Sequence, residues 1–418
     1  MSRRRVAITG LGLVSPYGGG LSAFFEHLMA GDSAVRLLQT DDKPRPLCMP
    51  FVLCSAFDAN AALGKPLASM MERFAQLGVS AAFDAWADAG LERQGAESGE
   101  RDDWACLWGT ALGGILAYEK GYRDMWQHGR ERLSPLSVIL GMNNAVNAHL
   151  SIQLGLGGVS MSHTAACASA SVAIGEAFRR VRAGDSTVVI TGGSDASQAY
   201  GVARAWDAMR LVSPGDETTA PMACRPFAAD RRGLVLGEGG AALVLEDWEH
   251  AVARGARIHA ELAGYGGSCD ASHLVRPEAS GQVRAIRAAL KDGDLTEDDI
   301  GYVNAHGTAT PEGDPVEISA LKTVFGERAA SLPVSATKSM HGHLLGAGGA
   351  IEAVATVMSL REQAIPPTAH LAGRLDPACA GVDHVLEGRR GVPLRAALSN
   401  SFAFGGSNAV LAFRQAQL

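Results

Sequence analysis

Cys167 lies in the run HTAACASASVAIGEAF (163–178), where a small-residue turn leads into a helical pattern and puts one thiol where the helix begins. The unpaired N–H groups and positive dipole end of a helix favour thiolate over thiol. They predict a Cys167 pKa lowered toward neutrality and a nucleophile able to attack a thioester or ester. Three later segments hold the polar residues such a thiol needs. NAHGTATPEGD (304–314) ends a buried-looking strand with His306. SATKSMHGHLLGAGGAIE (335–352) offers Lys338, His341, His343 and, on the next helix, Glu352. NSFAFGGSN (400–408) is a glycine turn that can present a backbone N–H beside Phe402 and Phe404. Together they supply a nucleophile, two imidazoles, an ammonium with a carboxylate partner, and oxyanion donors.

Taken singly, each residue has a plainer reading. A lone cysteine in an Ala/Ser-rich stretch is usually a packing residue. The His341-x-His343 pair suggests a metal, but neither a strand setting nor a nearby carboxylate pair supports one, and His341 is expected at the surface. Lys338 and Glu352 could form a purely structural ion pair, and Thr308 and Thr310 could cap a turn. GLGLVS (10–15) imitates part of a dinucleotide fingerprint, yet no GxGxxG or acidic strand end completes it. Close packing of the first strand explains its glycines.

The elements that must position these residues alternate short apolar strands with amphipathic helices, the α/β pattern. Strands are predicted at 5–12, 186–193, 240–246, 300–307, 332–337 and 408–413, and helices at 66–90, 167–184, 250–257, 314–326 and 349–363. No Pro/Ser-rich or low-complexity linker interrupts them. One compact body is therefore expected, with two halves, 1–255 and 256–418. The seven cysteines include no CxxC pair, which argues against a disulfide framework or a structural zinc site. A formal charge of −7 makes nucleic acid an unfavourable partner. No apolar run is long enough to span a bilayer, and a strand pattern follows the basic MSRRR start in place of a signal-peptide core, so a cytoplasmic location is expected.

At these motifs the chain resembles the β-ketoacyl synthases of the condensing-enzyme family, most closely the elongating type II enzymes. ITGLGLVSP at the start, RPFAADRRGLVLGEGG (225–240), ELAGYGGSCDASH (261–273) and the Ser-Pro at 134–135 extend the resemblance nearly end to end. It implies the thiolase fold: two pseudo-repeated α/β halves forming a layered αβαβα core and dimerising through the first half. It also implies roles. Cys167 would take an acyl chain from an acyl carrier protein, with the N–H groups of Cys167 and Phe404 as oxyanion hole. His306 and His343 would bind the malonyl thioester oxygen while CO2 leaves. Lys338, paired with Glu352, would orient the histidines. Phe404 would gate the nucleophile beside Phe402, and Thr308 and Thr310 would touch the phosphopantetheine arm. No other cofactor and no metal is implied.

Near relatives differ at this site. A biosynthetic thiolase would need a second cysteine in NSFAFGGSN, a starter-type synthase an asparagine for one histidine, and a chain-length factor no nucleophile. Substrate and partner are where this chain departs from the pattern. Ala145 replaces a methionine at an expected tunnel position, whereas Leu112 keeps the bulk of a tunnel floor. The segment at 69–73 keeps only Arg73 of several basic docking residues, and Arg210, Arg130 and Arg132 are further candidates for an acidic carrier protein. Fatty-acid elongation is the first reading and a specialised polyketide or polyene pathway the second. A homodimer is expected, or a heterodimer with a ketosynthase-like subunit. A silent subunit and a non-condensing acyltransferase are the alternatives from other classes.

Overall fold

A computed structural model describes residues 3–18, 20–42, 44–93 and 99–416; the first two residues of MSRRR lie outside it. The first half contributes strands β1 (Val6–Val14), β2 (Ala105–Gly109), β3 (Ser160–His163), β4 (Val188–Ala196) and β5 (Leu236–Asp247). The second contributes β6 (Ala260–Cys269), β7 (Ile300–Asn304), β8 (Pro333–Ser335), β9 (Ala396–Phe402) and β10 (Ser407–Arg414). Their order is β1-β5-β4-β2-β3 in one half and β6-β10-β9-β7-β8 in the other. The senses match as well: β1/β5, β5/β4, β6/β10 and β10/β9 are antiparallel, whereas β4/β2, β2/β3, β9/β7 and β7/β8 are parallel. The chain thus builds the same sheet twice. The two sheets meet along β1 and β6, at Ala7–Glu261 and Ile8–Ala260.

Helices α1 (Arg73–Asp88), α2 (Ser169–Ala183), α3 (Ala279–Asp292), α4 (Gly313–Phe325) and α5 (Gly348–Glu362) complete the layers. Helices α2 and α5 lie in the middle. Ile174, Phe178 and Val181 of α2 and Ile351, Val354 and Val357 of α5 share one core with Leu243 and Leu245 of β5 and with Leu411 and Phe413 of β10. Helix α1 covers the outer face of the first sheet, with Phe74, Leu77, Ala81 and Trp86 against Val188, Ile190 and Val244. Helices α3 and α4 cover the second, with Ile286, Ile318 and Leu321 against Val303, Leu398 and Val410. The αβαβα stack follows from burying each sheet on both faces, so β1, β4 and β5 are buried throughout instead of alternating. Gly10 and Gly12 do serve close packing. A Cβ on either would meet the carbonyl of Ala85 or Ala81 on α1.

The structure corrects two expectations around the run 66–90. It forms Lys65–Ala68 and α1, not one helix, because Glu72 takes an extended conformation and its carboxylate accepts the N–H of Phe74, which starts a new helix. Arg73, expected on the docking surface, turns inward. Its guanidinium reaches Glu238 of β5 twice, at 2.7 and 3.0 Å, and donates to the carbonyls of Cys54 and Phe57. Glu238 is 1% exposed, so Arg73→Met removes the cation beside a buried carboxylate, leaving it the Cys54 N–H and the Gln198 amide, and should cost roughly 3 kcal/mol. Thermal melting of the variant should show that loss with the KM for carrier protein unchanged. A raised KM at unchanged melting temperature would return Arg73 to the docking surface.

Candidate active site

The parallel strands end at one edge of each sheet, and the loops that leave them carry the polar residues. After β3 the chain turns through Ala166, whose φ of +46° is rare for a residue with a Cβ. Ser169 holds that turn, donating to the Ala166 carbonyl at 2.6 Å and accepting the Ala165 N–H at 2.9 Å. Cys167 therefore stands just ahead of α2, 8% exposed, as its sequence predicted. In the second half, β8 leads into Lys338, His341 and His343 and then α5, while β7 leads into His306. The equivalent connections of the two repeats face each other, which brings residues far apart in sequence together.

Cys167 Sγ lies 3.0 Å from His343 Nε2. Burial pushes the thiol up to about 12; the Lys338 ammonium pulls it down, the Asp195 carboxylate pushes it up, and the N–H groups of Cys167 and Phe404 favour the anion. Burial thus opposes the lowering expected at the helix end, because a sulfur with little access to water loses solvation as an anion. His343 is held well below the ordinary histidine range by burial, then by Lys338 and His341, and so is neutral. A neutral imidazole beside a neutral thiol is a base waiting for the attack.

Lys338 is fully buried and pairs with Glu352 at 2.5 Å. Its Nζ is 3.4 Å from His306 Nδ1. An ammonium can only donate, so Nδ1 is the acceptor and the His306 proton sits on Nε2. Burial and Lys338 also hold His306 well below its ordinary range. The His306 and His343 rings meet edge to face at 5.5 Å, and Phe402 stands 6.1 Å from His306. His341, expected at the surface, is fully buried. Its ring contacts Thr337 Oγ1 at 3.1 Å and the Gly342 carbonyl at 2.9 Å. No group of three His, Cys, Asp or Glu side chains that could hold a metal occurs among the described residues.

These groups open onto a cleft of about 420 Å³ whose walls include Cys167, His306, His343, Thr308, Thr310 and Phe404. Thr308 and Thr310 share a hydrogen bond of 3.1 Å. Leu112 packs half-buried in the apolar cluster that contains Cys167 and Leu345. Ala145 does not line the cleft; it is buried against α1 in the outer core. Arg210 and Arg132 are exposed, and Arg130 is exposed but pairs with Asp124 at 3.2 Å.

Two residues that carry the site were not read from the sequence. Glu317 of α4 accepts the N–H groups of His306 and Gly307, each at 2.8 Å, and the amide of Asn400 at 3.1 Å, which fixes the His306 backbone. Its signal was the three-residue spacing from Asp314 on the helix face that also carries Ile318 and Leu321. Trp206 stacks on Phe404 at 5.6 Å and 22° beside the cleft. Nothing in AWDAMR points to that contact, which depends on tertiary packing.

A doubled α/β repeat with a thiol, two imidazoles and an ammonium at its centre is the architecture of the condensing enzymes of thiolase-like fold. Residues 3–251 match the β-ketoacyl synthase N-terminal domain and residues 259–372 the β-ketoacyl synthase C-terminal domain. The chain belongs to the β-ketoacyl synthase family. It is 40% identical to nodulation protein E of Rhizobium sp. (strain N33) over 99% of each chain. It is 38% identical to 3-oxoacyl-[acyl-carrier-protein] synthase 2 of Staphylococcus aureus (strain N315), covering 99% of this chain and 98% of that one. Among solved structures it superposes on the ishigamide ketosynthase/chain length factor with a TM-score of 0.89 at 31% identity over the whole of both chains.

The raised thiol gives a direct test. Below its pKa the thiolate fraction grows about tenfold per pH unit, so iodoacetamide alkylation of Cys167 should keep accelerating from about pH 7 to 9. A plateau near neutrality, followed by intact mass, would show a resting thiolate instead.

Proposed function

We propose that this chain catalyses the decarboxylating Claisen condensation of an acyl group held on Cys167 with malonyl-acyl carrier protein, giving 3-oxoacyl-acyl carrier protein in fatty acid synthesis. The observation that carries the reading is the 3.0 Å contact between Cys167 Sγ and His343 Nε2, with His306 and the Lys338–Glu352 pair at its back. His343 takes the thiol proton as sulfur attacks the acyl thioester, and the N–H groups of Cys167 and Phe404 receive the developing oxyanion. The pantetheine sulfur leaves with the proton from His343. In the second half-reaction the Nε2–H of His306 and that of His343, whose proton moves from Nδ1 to Nε2 once the sulfur is acylated, donate to the malonyl thioester oxygen. The carboxylate departs as CO2, and the resulting carbanion attacks the acyl carbon, which forms the C–C bond and expels the Cys167 thiolate. Lys338 adds positive charge beside each anion.

Substrates arrive on the phosphopantetheine of an acyl carrier protein, along Thr308 and Thr310. Arg210, Arg130 and Arg132 meet the acidic carrier. A homodimer through the first half has support in the outer edge of β3, which pairs only with β2 among the described residues, and in the exposed Ile152, Val159 and Met161 around it. Among the described residues no helix is long and apolar enough to cross a membrane, which fits a cytoplasmic enzyme. A second reading, the ketosynthase of a specialised polyketide or polyene pathway working with a chain-length-factor-like partner, is favoured by the likeness to the ishigamide ketosynthase/chain length factor.

Intact mass after incubation with a panel of acyl-carrier proteins, then malonyl-carrier protein, tests the reading: Cys167 should acylate and release a chain two carbons longer. No acylation by any donor would leave a silent subunit; acyl transfer to a small acceptor without CO2 would leave a non-condensing acyltransferase. Cys167→Gln should keep malonyl decarboxylation and lose condensation, because thiol and histidines serve different steps. His306→Ala and His343→Ala should lose decarboxylation while Cys167 still acylates. Because both imidazoles are held well below a free histidine's value near 6.5, decarboxylation by Cys167→Gln should not fall between about pH 7 and 6. A drop to half near pH 6.5 would mean that at least one ring titrates as if exposed.

A further inference from the structure

Asp195 ends β4 one residue short and is fully buried. Its two oxygens accept four hydrogen bonds, and every partner is a donor. Oδ1 takes the Thr110 hydroxyl at 2.8 Å and the Leu112 N–H at 3.0 Å. Oδ2 takes the Ala111 N–H at 2.9 Å and the Gly346 N–H at 2.7 Å. Thr110 to Leu112 form the turn that leaves β2 in the first repeat. Gly346 follows His343 in the second repeat, after Leu345, which is held at a φ of +48°. The approach leaves no room: a Cβ on Gly346 would lie 2.5 Å from Asp195 Oδ2. One carboxylate therefore clamps the turn that carries Leu112, beside the thiol, to the turn that carries its base.

We propose that Asp195 is a positioning residue that holds the Leu112 wall and His343 in one register around Cys167. The acylation test rests on the condensing reading above; the alkylation test does not, since alkylation of the thiol needs no substrate. An asparagine cannot substitute silently, because its NH2 must face two donors wherever it points.

The test compares Asp195→Asn with Thr110→Val, which removes one donor and keeps the carboxylate. In Asp195→Asn acylation by acyl-carrier protein should slow at least about tenfold, the size expected when a base is displaced by about an ångström. Thr110→Val should slow acylation less, and should slow iodoacetamide alkylation of Cys167 at a fixed pH as well, since that reaction needs the base but no substrate. Acylation at the wild-type rate in either variant would overturn the positioning role, and Thr110→Val decides that point if Asp195→Asn does not fold. Failure of wild-type protein to acylate at all would strike the condensing reading, and alkylation in Thr110→Val would then decide the positioning role: slowing supports it and the wild-type rate overturns it.

Discussion

The ion pair between Lys338 and Glu352 is buried where neither partner meets water, and the behaviour of every other group in the site depends on it. Taking two charges out of water costs several kcal/mol each, which their attraction recovers only in good geometry. Here the pair is held at 2.5 Å between β8 and α5. Burial and, after it, the Lys338 ammonium hold His306 and His343 well below the ordinary histidine range, and the ammonium fixes the His306 proton on Nε2. Without Lys338 the His306 ring would have no fixed donor at Nδ1, and its Nε2 could as readily accept as donate. The ammonium therefore chooses the role of a residue it does not replace.

The same exclusion of water decides how the nucleophile is activated. A solvent-facing cysteine at a helix end can rest as thiolate, because water shares the stabilisation. Cys167 has the helix end, the oxyanion donors and a nearby ammonium, yet desolvation outweighs them and the thiol keeps its proton. In the proposed reaction, a sulfur that ionises as the base accepts its proton attacks what the cleft has aligned. The stack of Trp206 on Phe404 adds a steric condition to the electrostatic one.

Much of this was legible in the sequence. Strand and helix periods placed β1, β4, β5, β10, α2, α4 and α5 within a few residues, and the ordered motifs brought Cys167, His306, His343, Lys338 and Glu352 to one site. Local patterns failed where tertiary contacts decide. Glu72 broke a helix that periodicity had run through, and Arg73 faced inward to a glutamate 165 residues away. His341 was expected at the surface because its position varies in the family the chain resembles, but the turn between β8 and α5 is buried on every side. Glu317 and Asp195 were missed for a shared reason: most of their partners are backbone N–H groups from distant turns, which sequence spacing does not record.

The doubled fold explains why those backbone contacts matter. Each repeat delivers its polar residues from loops that follow parallel strands, and a loop end is less constrained than a strand. A nucleophile from one repeat and bases from the other can keep a contact of 3.0 Å only if both sets of loops are fixed to something rigid. Buried carboxylates perform that task on each side. Glu317 gathers the His306 loop from α4, and Asp195 gathers the Leu112 and Gly346 turns from β4. Carboxylates suit the position because a turn exposes N–H groups, and an acceptor with two oxygens can hold several of them at once. The cost is negative charge near a sulfur that must become an anion, and the Lys338 ammonium is the group placed to offset it. Catalytic geometry and the central ion pair are in this way one electrostatic arrangement, spread over both repeats.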